Sequence, residues 1–284
     1  MNGAADMSPE PAVRRAGMVA ALSVGRTVHH HWPEYVMEGA GLGLFMISAA
    51  AVTSLLEYPG SPLRQAIPDP VLRRILIGLA MGLTAIGIIY SPWGKRSGAH
   101  LNPAVTLTFL RLGKIRPTDA AFYVLAQFLG GWLGLVLAAL VGGRYLVDPA
   151  VNYVVTVPGE SGPIIAFAAE VVISSGLMLV VLTLSNHKTL ASWTGVSAGC
   201  LVALFIALEA PLSGMSMNPA RTVASAMSAQ VFTSLWVYFA APLLGMMAAA
   251  SLFTWVRRNR ELACPKLHHA NRQRCIFCGK LRGV

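Results

Sequence analysis

The chain has 284 residues, 55% of them hydrophobic and only 12% charged, with a mean hydropathy of +0.60. That balance excludes an ordinary soluble globule. The net charge of +10 does not point to nucleic acid, because the basic residues sort along the chain instead of forming one patch. Residues 1–34 carry Arg14, Arg15 and the run His29-His30-His31 without a continuous apolar core. They predict a solvated or interfacial N-terminal segment, not a cleaved signal and not a metal site. Roughly 20 apolar residues cross a bilayer core. Residues 36–56, broken only by Glu38, make the first candidate span, followed by the uncharged stretches 75–94 and 120–143. Residues 164–187, broken only by Glu170, make the fourth and 189–208 the fifth. Residues 222–256 carry no charge at all, too long for one span and right for a short helix followed by a full one. The expectation is an all-α membrane protein of six spans and two short apolar helices.

Placing the N-terminus in the cytoplasm puts most of the 22 Lys and Arg on that side; Arg64, Arg73, Arg74, Arg144 and Arg221 fall on the other. The positive-inside rule then sets both termini in the cytoplasm. The basic C-terminal segment, 257–284, also suits anionic lipid heads.

Asn-Pro-Ala occurs twice, at Asn102-Pro103-Ala104 and Asn218-Pro219-Ala220, each preceded by Ser-Gly (Ser97-Gly98 and Ser213-Gly214). One copy would mark only a helix start, since Asn is a good N-cap and Pro fits the first helical position. Two copies belong to a repeat. Glu38 opens the first span and Glu170 the fourth, and Pro242 takes the place of Gln127. The repeats run about 35–143 and 164–256 within a domain of 35–256. Three spans per half is odd, so the halves face opposite ways and meet near the midplane. Residues 103–112 make about 15 Å of helix, and two such pieces end to end cover about 30 Å, one bilayer core. Irregular backbone at that depth is tolerated only where it is buried or lines water, so the loops before Asn102 and Asn218 imply an aqueous path.

With these strings in hand, the chain resembles the major intrinsic protein family, the aquaporins and glycerol facilitators, over roughly residues 34–256. The resemblance implies a six-helix bundle with two re-entrant half-helices, an inverted 3+3 repeat, and a homotetramer with one pore per subunit in a cell (plasma or inner) membrane. It implies a passive channel conducting water and small uncharged solutes in single file while excluding protons and ions. In it Asn102 and Asn218 donate to the permeating oxygen, Arg221 forms one wall of the outer constriction, and Glu38 and Glu170 hold loop N–H groups. His100 becomes a packed wall residue. Counting from Asn218 to the family's filter positions gives Met215 and Ile206, and the second span supplies Met81, or Gly82 without a one-residue insertion. The water-only filters of the family place an aromatic and a histidine there, and this chain has neither. Thr222, Ala226 and Tyr238-Phe239 point back to water, so a water channel of unusual filter and a glycerol- or urea-type facilitator both stand. A proton-coupled carrier relying on Glu38 and Glu170, or a junctional membrane protein, are the rival classes. No nucleophile–base pair or phosphate loop suggests an enzyme, and the pore itself calls for no cofactor.

Four cysteines remain. Cys200, in the fifth span, is expected to be a small buried packing residue. Cys264, His268, Cys275 and Cys278 carry the ligand types and close pair of a small tetrahedral zinc site, with a disordered basic tail of reduced thiols as the alternative.

Overall fold

A computed structural model describes residues 10–257 and 262–279, with side chains from residue 24 onward. Residues 1–9, the Arg14 and Arg15 side chains, and residues 258–261 and 280–284 lie outside it. Regular structure among the described residues is entirely helical. In chain order the principal helices are α1 (Glu10–Glu57), α2 (Pro70–Tyr90), α3 (Pro103–Arg111), α4 (Pro117–Gly142), α5 (Gly162–Ser185), α6 (Thr194–Ser213), α7 (Pro219–Ala229) and α8 (Leu235–Val256). All but α3 and α7 contain stretches long and apolar enough to cross a membrane.

Proline and short polar side chains set many of these boundaries. Asp69 accepts the Val71 N–H at 2.8 Å just ahead of Pro70, which opens α2. That span ends at Tyr90, earlier than the apolar run suggests. Ser91 caps a separate short helix, Pro92–Ser97, by accepting the Gly94 N–H at 3.0 Å. At the other extreme α1 reaches back to Glu10, through the segment expected to be a separate tail. Arg14, Arg15 and Arg26 interrupt the apolar run there without interrupting helix propensity.

The helix pairs that pack most extensively are α1 with α4, α2 with α6, and α5 with α8. In lipid, helices associate through close backbone approach more than through hydrophobic expulsion. A Cβ on Gly43 would lie 2.8 Å from the Gly130 carbonyl oxygen, and one on Gly245 would lie 2.5 Å from that of Val171. Gly130 and Gly245 are equivalent in the two repeats, so both halves close by the same device. The half-helices cross over: α7 leans on α4, and α3 on α8. Outward faces are apolar, with Val141 91% exposed and Leu83, Val172 and Leu208 pointing the same way. Cys200 belongs to this outer face and is exposed, contrary to the buried role expected of it. Beside Leu179 and Leu204, a small apolar thiol there faces a medium that does not penalise it.

Candidate functional site: a pore at the junction of two half-helices

The two loops that feed α3 and α7 repeat one another at the backbone. Positive φ occurs at Gly98, Ala99 and Leu101, and again at Gly214, Met215 and Met217. L-residues adopt this conformation only when their surroundings hold it, and here hydrogen bonds do so. Ser97 Oγ accepts the Ala99 N–H and Ser213 Oγ the Met215 N–H, both at 3.1 Å. Tyr123 OH donates to the Ser97 carbonyl at 2.7 Å, and Tyr238 OH to that of Ser213 at 2.6 Å. These tyrosines are a matched pair that sequence reading missed. The signal was present: each lies four residues before an already matched position, Gln127 or Pro242.

Two buried carboxylates complete the support. Glu170 accepts from Ser216 N (2.6 Å), Met217 N (2.7 Å) and Ser213 Oγ (2.8 Å). Glu38 accepts from Leu101 N and from Gln127 Nε2 at 3.1 Å, leaving its Oε2 without a partner among the described residues. His100 packs between Phe109 and Phe277, with ring centroids 5.3 and 5.8 Å away. Its Nδ1 is 3.2 Å from Thr106 Oγ1, and its Nε2 is 3.0 Å from the Pro265 carbonyl. A carbonyl only accepts, so Nε2 carries the proton.

The two Asn-Pro-Ala strings meet directly. Asn102 Oδ1 accepts the Ala104 N–H at 2.8 Å, while Asn218 Oδ1 accepts those of Ala220 at 3.0 Å and Arg221 at 3.2 Å. Each amide then donates across the junction, Asn102 Nδ2 to the Met217 carbonyl (2.6 Å) and Asn218 Nδ2 to the Leu101 carbonyl (2.7 Å). One N–H per amide is thereby committed to the opposite loop, and the second stays available. The helices behind them, 9 and 11 residues long, span about 30 Å together at 1.5 Å per residue.

A cavity of about 330 Å³ runs through this junction, bordered by both asparagines and by Met81, Ile206, Met215 and Arg221. Met81 faces it, whereas Gly82 packs backbone to backbone on α6, where a Cβ would lie 2.5 Å from the Gly199 carbonyl. Arg221 Nη1 is buried without a protein partner among the described residues. Phe45 also borders the cavity, an aromatic that counting from Asn218 does not reach because it comes from α1. It lies seven residues after Glu38, two helical turns along the same face. The tail contributes Leu267 to the wall.

The tail cysteines do cluster, with one substitution among the expected ligands. Cys264, His269, Cys275 and Cys278 bring one ligand atom each within 4.8 Å of one another. His268 does not join them, because its ring lies over Tyr90 with centroids 4.9 Å apart.

A family model described as Major intrinsic protein matches residues 18–253. The chain belongs to the major intrinsic protein family. It is similar to aquaporin NIP1-1 of Zea mays, 33% identical over 85% of this chain and 78% of the relative. Aquaporin NIP2-3 of the same plant is 33% identical over 79% and 73%. Among solved structures, the aquaglyceroporin from Plasmodium falciparum superposes with a TM-score of 0.67, covering 80% of this chain and 97% of that one at 20% identity. That likeness carries the fold. As a member of the major intrinsic protein family the chain is an integral membrane protein, a passive channel for water and small solutes.

Proposed function

We propose that this family member conducts water together with small, uncharged, amphipathic solutes in single file, and excludes protons and ions. The observation that carries this reading is the crossed pair of asparagines at the cavity, each with one amide N–H left over. Both half-helix N-termini bring partial positive charge to that point. A passing water accepts from the asparagines there and turns in opposite senses above and below, which breaks a proton wire and raises the energy of any cation. Glu38 and Glu170 hold loop N–H groups, turning the loop carbonyls toward the path as successive acceptors. Glu170 uses both oxygens and Glu38 one on this support, which argues against a proton-coupled carrier.

Selectivity rests on Arg221 with Met81, Ile206 and Met215. Arg221 Nη1 lacks a protein partner among the described residues, and a buried donor of that kind calls for a water or solute oxygen. Three flexible apolar walls and Phe45 opposite one guanidinium favour solutes with a polar and an apolar side. A glycerol- or urea-type facilitator is the second reading, and the absence of histidine among these walls supports it. We further propose a homotetramer in a cell membrane, both termini cytoplasmic, with no enzymatic step and no cofactor in the pore. The three thiols and imidazole of the tail form a zinc-type ligand set.

Stopped-flow swelling of proteoliposomes under water, glycerol and urea gradients tests the reading. Rates above empty vesicles for water and at least one solute, without proton leak, are expected. Rates equal to empty vesicles for all three sink it.

A further inference from the structure

Residues 262–279 form neither helix nor strand, yet they hold a defined shape against the pore. So short a segment has too little core of its own to order itself. Its contacts are unusually specific. The Leu267 N–H donates to the Gly98 carbonyl at 3.1 Å. Lys266 Nζ donates to the carbonyls of Lys95 (3.0 Å) and Arg274 (2.7 Å). The Arg274 guanidinium pairs with buried Glu34 at 2.7 Å, which Arg96 also reaches at 2.9 Å. Phe277 stacks on His100, whose Nε2 donates to Pro265. Leu267, Phe277 and Pro265 therefore grip the loop that leads into Asn102, while Lys266 and Arg274 tie the tail to Lys95 and Glu34 beside it.

Leu267 is the centre of this grip. It is 7% exposed, belongs to the same buried apolar cluster as Ile89, Ala99, Val181 and Ala198, and borders the cavity with them. It lies between Cys264 and His269, two members of the Cys/His cluster. Zinc–thiolate bonds of about 2.3 Å put tetrahedral ligand atoms roughly 3.8 Å apart. Cys264 Sγ and Cys275 Sγ are 3.3 Å apart, and Cys278 Sγ is 3.8 Å from His269 Nε2.

We propose that one Zn²⁺ bound by Cys264, His269, Cys275 and Cys278 folds the tail into a stopper that seats Leu267 in the mouth of the pore beside Gly98 and His100, so that losing the metal opens the channel. The stopper rests on the channel reading, the metal site does not.

The full-length protein, purified without chelator, is expected to carry equimolar zinc by plasma mass spectrometry. Exchange with Co²⁺ should give the thiolate-to-cobalt absorption and tetrahedral bands. In proteoliposomes a membrane-permeant zinc chelator should raise the swelling rate several-fold, and re-added zinc should reverse it. Leu267→Gly should keep the metal yet swell fast with or without chelator. Cys275→Ser with Cys278→Ser should lack metal and swell fast. Absence of equimolar zinc, or a two-dalton mass loss from a Cys264–Cys275 disulfide in its place, overturns the site. Zinc removal that leaves the swelling rate unchanged overturns the stopper. If chelated protein and Leu267→Gly both match empty vesicles, the channel reading fails and takes the stopper with it, while metal content and cobalt spectrum still judge the site.

Discussion

The loop before Asn102 and the loop before Asn218 are built alike and surrounded differently. Both place Ser, Gly and a left-handed residue in the same order, both are tied by a tyrosine hydroxyl to the serine carbonyl, and both end in a capping asparagine. The second loop is held by a carboxylate that uses both oxygens, and it opens beside Arg221 and Met215. The first is held through one oxygen of Glu38 and is covered by the tail. The duplicated part makes the pore. What distinguishes its two ends is what each loop meets: Arg221 and Met215, the proposed filter, at one, and the tail, the proposed stopper, at the other.

The sharpest way to break this comparison is at the carboxylates. Glu170→Ala strands three buried donors, each costing about 1–3 kcal/mol, and should abolish folded protein on size-exclusion in detergent. Glu38→Ala strands fewer and should leave folded protein with a lowered thermal midpoint; equal damage from the two would contradict the asymmetry. Next in size, Asn218→Ala removes the α7 cap, worth about 1 kcal/mol, and the bond to Leu101. Water flux in proteoliposomes is expected to fall at least tenfold, and Asn102→Ala should match it within a factor of about three if the junction is symmetric.

Selectivity should respond at the Arg221 end of the cavity. Arg221→Val is expected to raise the glycerol-to-water permeability ratio several-fold, whereas Met81→Phe with Ile206→His should lower it. A ratio unmoved by either the single or the double variant would remove these residues from the filter. Smallest of all, Tyr123→Phe and Tyr238→Phe each delete one hydrogen bond, about 1 kcal/mol, and should shift thermal unfolding by similar amounts. A much larger effect at one of them would mean that the loops are not supported alike.

Much of this architecture was legible in the chain. Uncharged runs located the spans, and the paired Asn-Pro-Ala strings located the meeting point, because helix caps and prolines are local signals. The register at Met81 against Gly82 was not, since a one-residue insertion changes no composition; contact of Gly82 with the Gly199 backbone decides it. His268 and His269 are neighbours in irregular backbone, and spacing cannot say which ring turns to the thiols. Tyr90, far away in sequence, draws His268 aside. The buried Glu209, whose two oxygens lack partners among the described residues, ended no motif and was passed over. The extension of α1 back to Glu10 was hidden by three arginines that a helix accepts and an apolar-run criterion does not.

The crossed asparagine bonds also bear on how the molecule is made. Synthesis delivers α1 to α4 first, yet the Asn102 amide and the Leu101 carbonyl find their partners only on Met217 and Asn218. Until the later segment enters the membrane, the nascent first half carries unpaired polar groups at what will become its most desolvated depth. The hydrogen bonding of the first loop is therefore complete only once the segment carrying Met217 and Asn218 is in place.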